Sequence, residues 1–72
     1  NVDHLAKQPE AIRRRVLRLL ALDAGALPGE LSATHIREMD RLVTDWHGQV
    51  RVELPGHVGL KRVGTTLVFF TG

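Results

Sequence analysis

At Gly48 the spacing of apolar residues changes from the helical to the extended period, and that switch sets the order in which this chain can build a fold. After it, Val50, Val52 and Leu54 alternate with Arg51 and Glu53 as in a half-buried strand. Pro55-Gly56 suits a type II turn, His57 to Val63 forms a second candidate strand with Val58 and Leu60 on one face, and Gly64-Thr65 suits a Gly-first hairpin turn. Thr66 to Phe70 completes the pattern as a third strand.

Before Gly48 the period is 3.6. Pro9 suits the first helical position and Gly25 the terminator of a first helix. At about 100° per residue, Ile12, Val16, Leu19 and Leu20 fall in one stripe, expected to face the core, with Arg14 and Arg18 opposite and Arg15 on the flank. Ala26 to Leu31, containing Pro28 and Gly29, leads to Ser32, an N-cap for the second helix, with Leu31 and Ile36 placed as a hydrophobic staple. Ile36, Met39, Leu42, Val43 and Trp46 make a continuous apolar face ending before Gly48, which assigns Trp46 to the core. The expected fold is α+β, two amphipathic helices followed by a three-stranded antiparallel meander. With 72 residues there is room for one core only. Residues 1–8 are expected to be a linker or the fraying end of a preceding helix, since Val2 and Leu5 are their only large apolar side chains, and residues 9–72 the domain.

The chain starts at Asn1, has no signal-like apolar run, and its most apolar stretch, Leu17 to Leu22, is broken by Arg18. We therefore expect a soluble segment of a longer protein with no membrane span. The absence of cysteine removes disulfides, thiolate ligands and Cys nucleophiles, and suits a reducing cytoplasm.

Few catalytic constellations are available. The glycines sit at turns and cannot cradle a phosphate before a helix. His4, His35, His47 and His57 lack the i, i+4 spacing and clustered carboxylates of a metal site. Ser32 is fully explained as a cap, and Glu38 and Asp45 with Arg41 between them as ordinary helical ion pairs. No catalytic or metal residue is assigned, and no cofactor is expected in this segment.

What remains is charge. Ten Lys and Arg face eight Asp and Glu, for a formal net charge of +2, and most of the cations are arginine. Arginine favours bidentate contact with phosphate or carboxylate. Arg13, Arg14, Arg15 and Arg18 crowd the first helix and are the candidate RNA-binding residues. Lys61 and Arg62, on opposite faces of their strand, extend the set, with edge-strand protection as their plainer role. A merely solvated helix face is the plainer reading of these arginines, and an acidic neighbouring domain is the alternative partner. A winged-helix DNA reader fits less well, because the polar face of the second helix carries more acid than base.

The runs Pro9-Glu10-Ala11-Ile12-Arg13-Arg14-Arg15-Val16-Leu17-Arg18, Leu31-Ser32-Ala33-Thr34-His35-Ile36, Leu42-Val43-Thr44-Asp45-Trp46-His47-Gly48-Gln49 and Leu54-Pro55-Gly56 occur in an informative order. From Leu5 to Phe70 the chain resembles the region after the catalytic domain of bacterial tRNA(Ile)-lysidine synthetases, particularly the arginine-rich actinobacterial type. The resemblance implies an accessory substrate-binding domain in an enzyme that adenylates the wobble cytidine of an isoleucine tRNA with a CAU anticodon, using ATP, before the lysine amino group displaces AMP. The Ser-Gly-Gly-x-Asp-Ser adenylation loop of that family is absent here. Catalysis is then expected in an N-terminal adenylation domain, with tRNA and that domain as partners, ATP and lysine as substrates of the parent enzyme, and Arg13 to Arg15 and Arg18 in the matching helix. The alternative function is a structural or protein-interaction module bracing a partner domain without touching RNA.

Overall fold

The computed structural model describes residues 2–71, so the expectations for the two ends apply from Val2 and up to Thr71; Asn1 and Gly72 lie outside the described residues. The elements follow in the order α1 (Val2–Ala6), α2 (Glu10–Asp23), α3 (Ala33–Thr44), β1 (Val52–Leu54), β2 (Val58–Val63) and β3 (Thr66–Thr71). The α+β class and the meander are as the sequence implies, with strand order β1-β2-β3 and antiparallel pairing throughout.

The short α1 is an additional element. A five-residue helix is not stable alone. It is held because Val2 is buried against the core, Leu5 packs on its margin, and the Val2 N–H donates to the Thr65 carbonyl at 2.9 Å.

α2 begins one residue later than expected, with Pro9 as the N-cap residue. It closes in a Schellman motif: Gly25, at φ +111°, donates to the Leu22 carbonyl and Ala26 to that of Ala21. Ala21 and Ala26 are both buried beneath this turn. α3 starts at a capping box in which the Ser32 hydroxyl accepts the His35 N–H at 3.3 Å and His35 Nδ1 accepts the Ser32 N–H at 2.9 Å. Histidine here fills the place Glu or Gln takes in the usual box. Leu31 is buried and Ile36 half-buried on the same cluster, as a staple requires.

Two features differ from the sequence pattern. α3 ends at Thr44, so Trp46 lies in the following loop, 38% exposed and outside the core. β1 spans only Val52–Leu54, and Val50 is 82% exposed. Both corrections lie in the segment between α3 and β1, whose polar groups bond to one another instead of extending the helix or the strand. Trp46 Nε1 donates to the Gln49 carbonyl, and Gln49 takes the His47 N–H and donates to the Asp45 carbonyl.

α3 is the hub of the packing and touches α1, α2, β1 and β2. The core forms where Leu17 of α2, Met39 and Leu42 of α3 and Leu60 of β2, all fully buried, meet. At the hairpins, Gly56 and Gly64 hold positive φ values of 97° and 61°, consistent with the expected Pro-Gly and Gly-Thr turns.

Candidate nucleic-acid interface

The arginines of α2 do not form one patch. The expected core stripe of that helix is wrong: Leu17 and Ala21 are buried, whereas Ile12, Leu19 and Leu20 are 48%, 59% and 42% exposed. Rotating the helix this way brings Arg13 and Arg14 inward, and the reason is Asp40. Its carboxylate sits on the buried side of α3 with 5% of its side chain exposed. Arg13 grips it with two groups, Nε to Oδ1 and Nη2 to Oδ2 at 3.0 Å, while Arg14 Nε donates to Oδ2 at 3.1 Å. Arg13 also donates to the Gln8 carbonyl, and Arg14 pairs with Glu10 at 2.9 Å. Burial pushes the Asp40 carboxyl up, but the hydrogen bonds and charges of the two guanidiniums outweigh it and hold the group below its ordinary value. The hydrogen bond to Asp40 in turn raises Arg13.

Arg13 is thus a bridge between α2 and α3, with 12% of its side chain exposed. Arg15 and Arg18 are exposed, and Arg18 makes only a long contact, 3.5 Å, to the Leu31 carbonyl. At about 100° per residue, Arg14, Arg18 and Arg15 follow one another around one flank of α2, and Leu20, Val16 and Ile12 around the other.

The apolar flank is one wall of an open groove of about 560 Å³ between α1, α2 and β3. Leu5, Ile12, Val16, Leu20, Leu67 and Phe69 line it together with His4, Gln8 and Thr66. None of the nine is Asp, Glu, Lys or Arg. In a chain that is 25% charged, a surface of this size without Asp, Glu, Lys or Arg is distinctive.

The two cations of β2 lie apart from each other. Arg62 points to the helical side, where Nη1 donates to the Leu42 carbonyl at 2.8 Å, Nε donates to the Gly64 carbonyl at 2.7 Å, and the guanidinium stacks 4.6 Å from the Trp46 ring centroid. It satisfies one of the last carbonyls of α3 and fixes the loop that follows. Lys61 points to the opposite sheet face, 5.9 Å from the centroid of the Phe70 ring. The edge-strand role for these two residues does not hold, because β2 is the central strand.

Sequence reasoning missed Asp40, although a signal existed: it lies at i+4 from Ile36 and three residues before Val43, within the apolar stripe of α3. Among the described residues no cluster of His, Cys, Asp or Glu is arranged to hold a metal, and no helix is long and apolar enough to cross a membrane.

Comparison with known proteins gives this architecture a family. Residues 1–68 match the family model described as TilS substrate binding domain. The chain is 53% identical over 64 residues to a tRNA(Ile)-lysidine synthase of Streptomyces coelicolor, covering 89% of the chain and 18% of that protein. It is 56% identical over 52 residues to one of Thermobifida fusca, covering 72% of the chain and 16% of the relative. With one of Bifidobacterium longum the identity is 47% over 55 residues, 76% of the chain and 13% of the relative. The chain thus spans less than a fifth of the length of these relatives. No solved structure matches it. With the match running through all three helices and into the last strand, the chain belongs to the TilS substrate-binding domain family.

Proposed function

We propose that this chain is the non-catalytic tRNA-positioning domain of a tRNA(Ile)-lysidine synthase, holding tRNA(Ile) with a CAU anticodon while another domain of the same polypeptide converts the wobble cytidine to lysidine. The observation that carries this reading is the family match over residues 1–68, joined to relatives that are named tRNA(Ile)-lysidine synthase. ATP and lysine are substrates of the parent enzyme and are handled by its adenylation domain in the cytoplasm. This chain contributes binding and orientation.

The RNA-facing surface is the basic flank of α2. Arg15 and Arg18 reach phosphates, and Arg14 adds its charge while anchored to Glu10 and Asp40. Arg13 acts by holding the flank in place rather than by touching RNA. Arg62 has the same supporting role at the end of α3, and Lys61 lies on a separate surface.

A second contact is favoured by the apolar groove. Its walls are mostly apolar, without Lys or Arg, and it lies on the opposite flank of α2, so we assign it to the adenylation domain of the parent chain. The domain then has one side for RNA and one for protein.

The experiment is a titration of the complete enzyme with tRNA(Ile) transcript at two or more salt concentrations. Arg15→Glu with Arg18→Glu is expected to weaken binding and to flatten the plot of log affinity against log salt by about 0.7–0.9 for each phosphate that is no longer neutralised. Unchanged affinity and slope would reject the basic flank as the RNA surface and leave the domain a brace.

A further inference from the structure

The sheet of this domain has two unlike faces, and the helices use only one. Val52, Leu54, Val58 and Leu60 point to the core. Alternation places Glu53, Gly59 and Phe70 in one cross-strand row on the other face, with Lys61 opposite Val68 in the next. An aromatic ring on the outer face of a small sheet needs a reason, because nothing in the core requires it there.

Its seat is Gly59. The Phe70 ring reaches across β2 and lies over this glycine, where even a single Cβ would collide with the outer ring atoms. The absence of a side chain creates a flat bed in a strand interior, a place where glycine otherwise weakens pairing. Over the ring, offset from its centre, are two cations. The Arg51 guanidinium is 5.5 Å and the Lys61 ammonium 5.9 Å from its centroid, and Arg51 also pairs with the exposed Glu53 at 2.5 Å. The ring itself is only half-buried.

We infer that Phe70, seated on Gly59 between Arg51 and Lys61, is a stacking site for an unpaired nucleobase of RNA. A base offers a π-face of the size of the ring, and the phosphate beside it meets Lys61, since Arg51 is already shared with Glu53. Because β2 directs Lys61 and Arg62 to opposite sides, this site is separate from the basic flank of α2. A single-stranded nucleotide fits better than a duplex, whose bases are stacked on each other and have no free face. The inference rests on the reading of this domain as a tRNA-binding one, and adds where an unpaired nucleotide would dock.

The test compares Phe70→Leu and Phe70→Trp in the complete enzyme, using an eight-nucleotide oligouridylate and a tRNA(Ile) transcript as probes. Leucine keeps an apolar group over Gly59 and removes the π-face; tryptophan keeps the face. Thermal melts establish that each variant is folded. The expected result is a loss of about tenfold or more in oligouridylate affinity for Phe70→Leu, the scale of one stacked base, with Phe70→Trp close to the parent protein and the salt slope unchanged in both. Lys61→Gln is expected to lower the slope by about 0.7. If Phe70→Leu binds oligouridylate as well as the parent protein does, the stacking site is overturned while tRNA binding by the α2 flank stands. If the parent protein binds tRNA but not oligouridylate, the stacking site is again overturned. If Arg15→Glu with Arg18→Glu also leaves tRNA binding intact, the broader reading falls with it.

Discussion

The two long helices solve the same problem in different ways. α3 turns its apolar face inward, with Met39 and Leu42 fully buried, and its capping box fixes where it starts. α2 turns inward a narrow strip made of Leu17 and Ala21 and leaves Ile12, Leu19 and Leu20 about half exposed. The hydrophobic effect alone would have rotated α2 the other way. What fixes it is a carboxylate already committed to the interior: Asp40 travels inward with the apolar side of α3, and an unpaired buried charge is costly enough that α2 must present Arg13 and Arg14 to it. One polar residue on the better-patterned helix thus dictates the orientation of its neighbour. Ile12 and Leu20, kept out of the core, become part of the wall of the apolar groove.

The largest test of that comparison is Asp40→Ala. Two guanidiniums would be left without their shared partner at the helix interface, and stability is expected to fall by about 3–5 kcal/mol, read by chemical denaturation with Trp46 fluorescence. A decrease below about 1 kcal/mol would mean that packing, not the ion pair, sets the rotation. Next comes a matched pair of leucines. Leu17→Ala is expected to cost about 2–5 kcal/mol and Leu19→Ala less than about 0.5 kcal/mol in the 72-residue chain. The reverse order would restore the orientation suggested by periodicity alone.

A smaller effect separates the caps. Ser32→Ala should cost α3 about 1 kcal/mol, whereas Pro9→Ala at the start of α2, where no side-chain cap bond exists, should cost less. The mildest probe is pH. Because the folded Asp40 carboxyl is held below its ordinary value, its contribution is fully present above the unfolded value and is lost as pH falls through the folded one. Asp40→Asn is expected to flatten the acid side of the stability profile, and an unchanged acid limb would show that other carboxylates govern it.

These differences also explain what could be read from the residues. α3, the two hairpin turns and the buried alternation of Val58 and Leu60 are locally encoded, by a cap, by glycine at positive φ and by period. They were legible for that reason. The rotation of α2 was not, because it depends on a partner far along the chain, and neither was the place of Trp46, which follows the helix end and is covered by Arg62 across the fold. The candidate site was partly legible. The sequence located the arginine-rich helix, but an arginine that binds Asp40 and an arginine open to solvent look alike until the partner is placed. Phe70 escaped notice because an aromatic at the end of a strand is usually core, and only the register with Gly59 reveals the opposite face.

The bond from the Val2 N–H to the Thr65 carbonyl has a kinetic consequence. Hairpins and helices form through contacts close in sequence, whereas this one joins the first described residue to a turn near the other end. A long loop must close before the bond can form, so α1 is expected to dock late in folding and to be among the first elements to let go. In native-state hydrogen exchange the Val2 amide should therefore exchange through a small local opening, ahead of the amides of α3, even though its side chain is as buried as theirs.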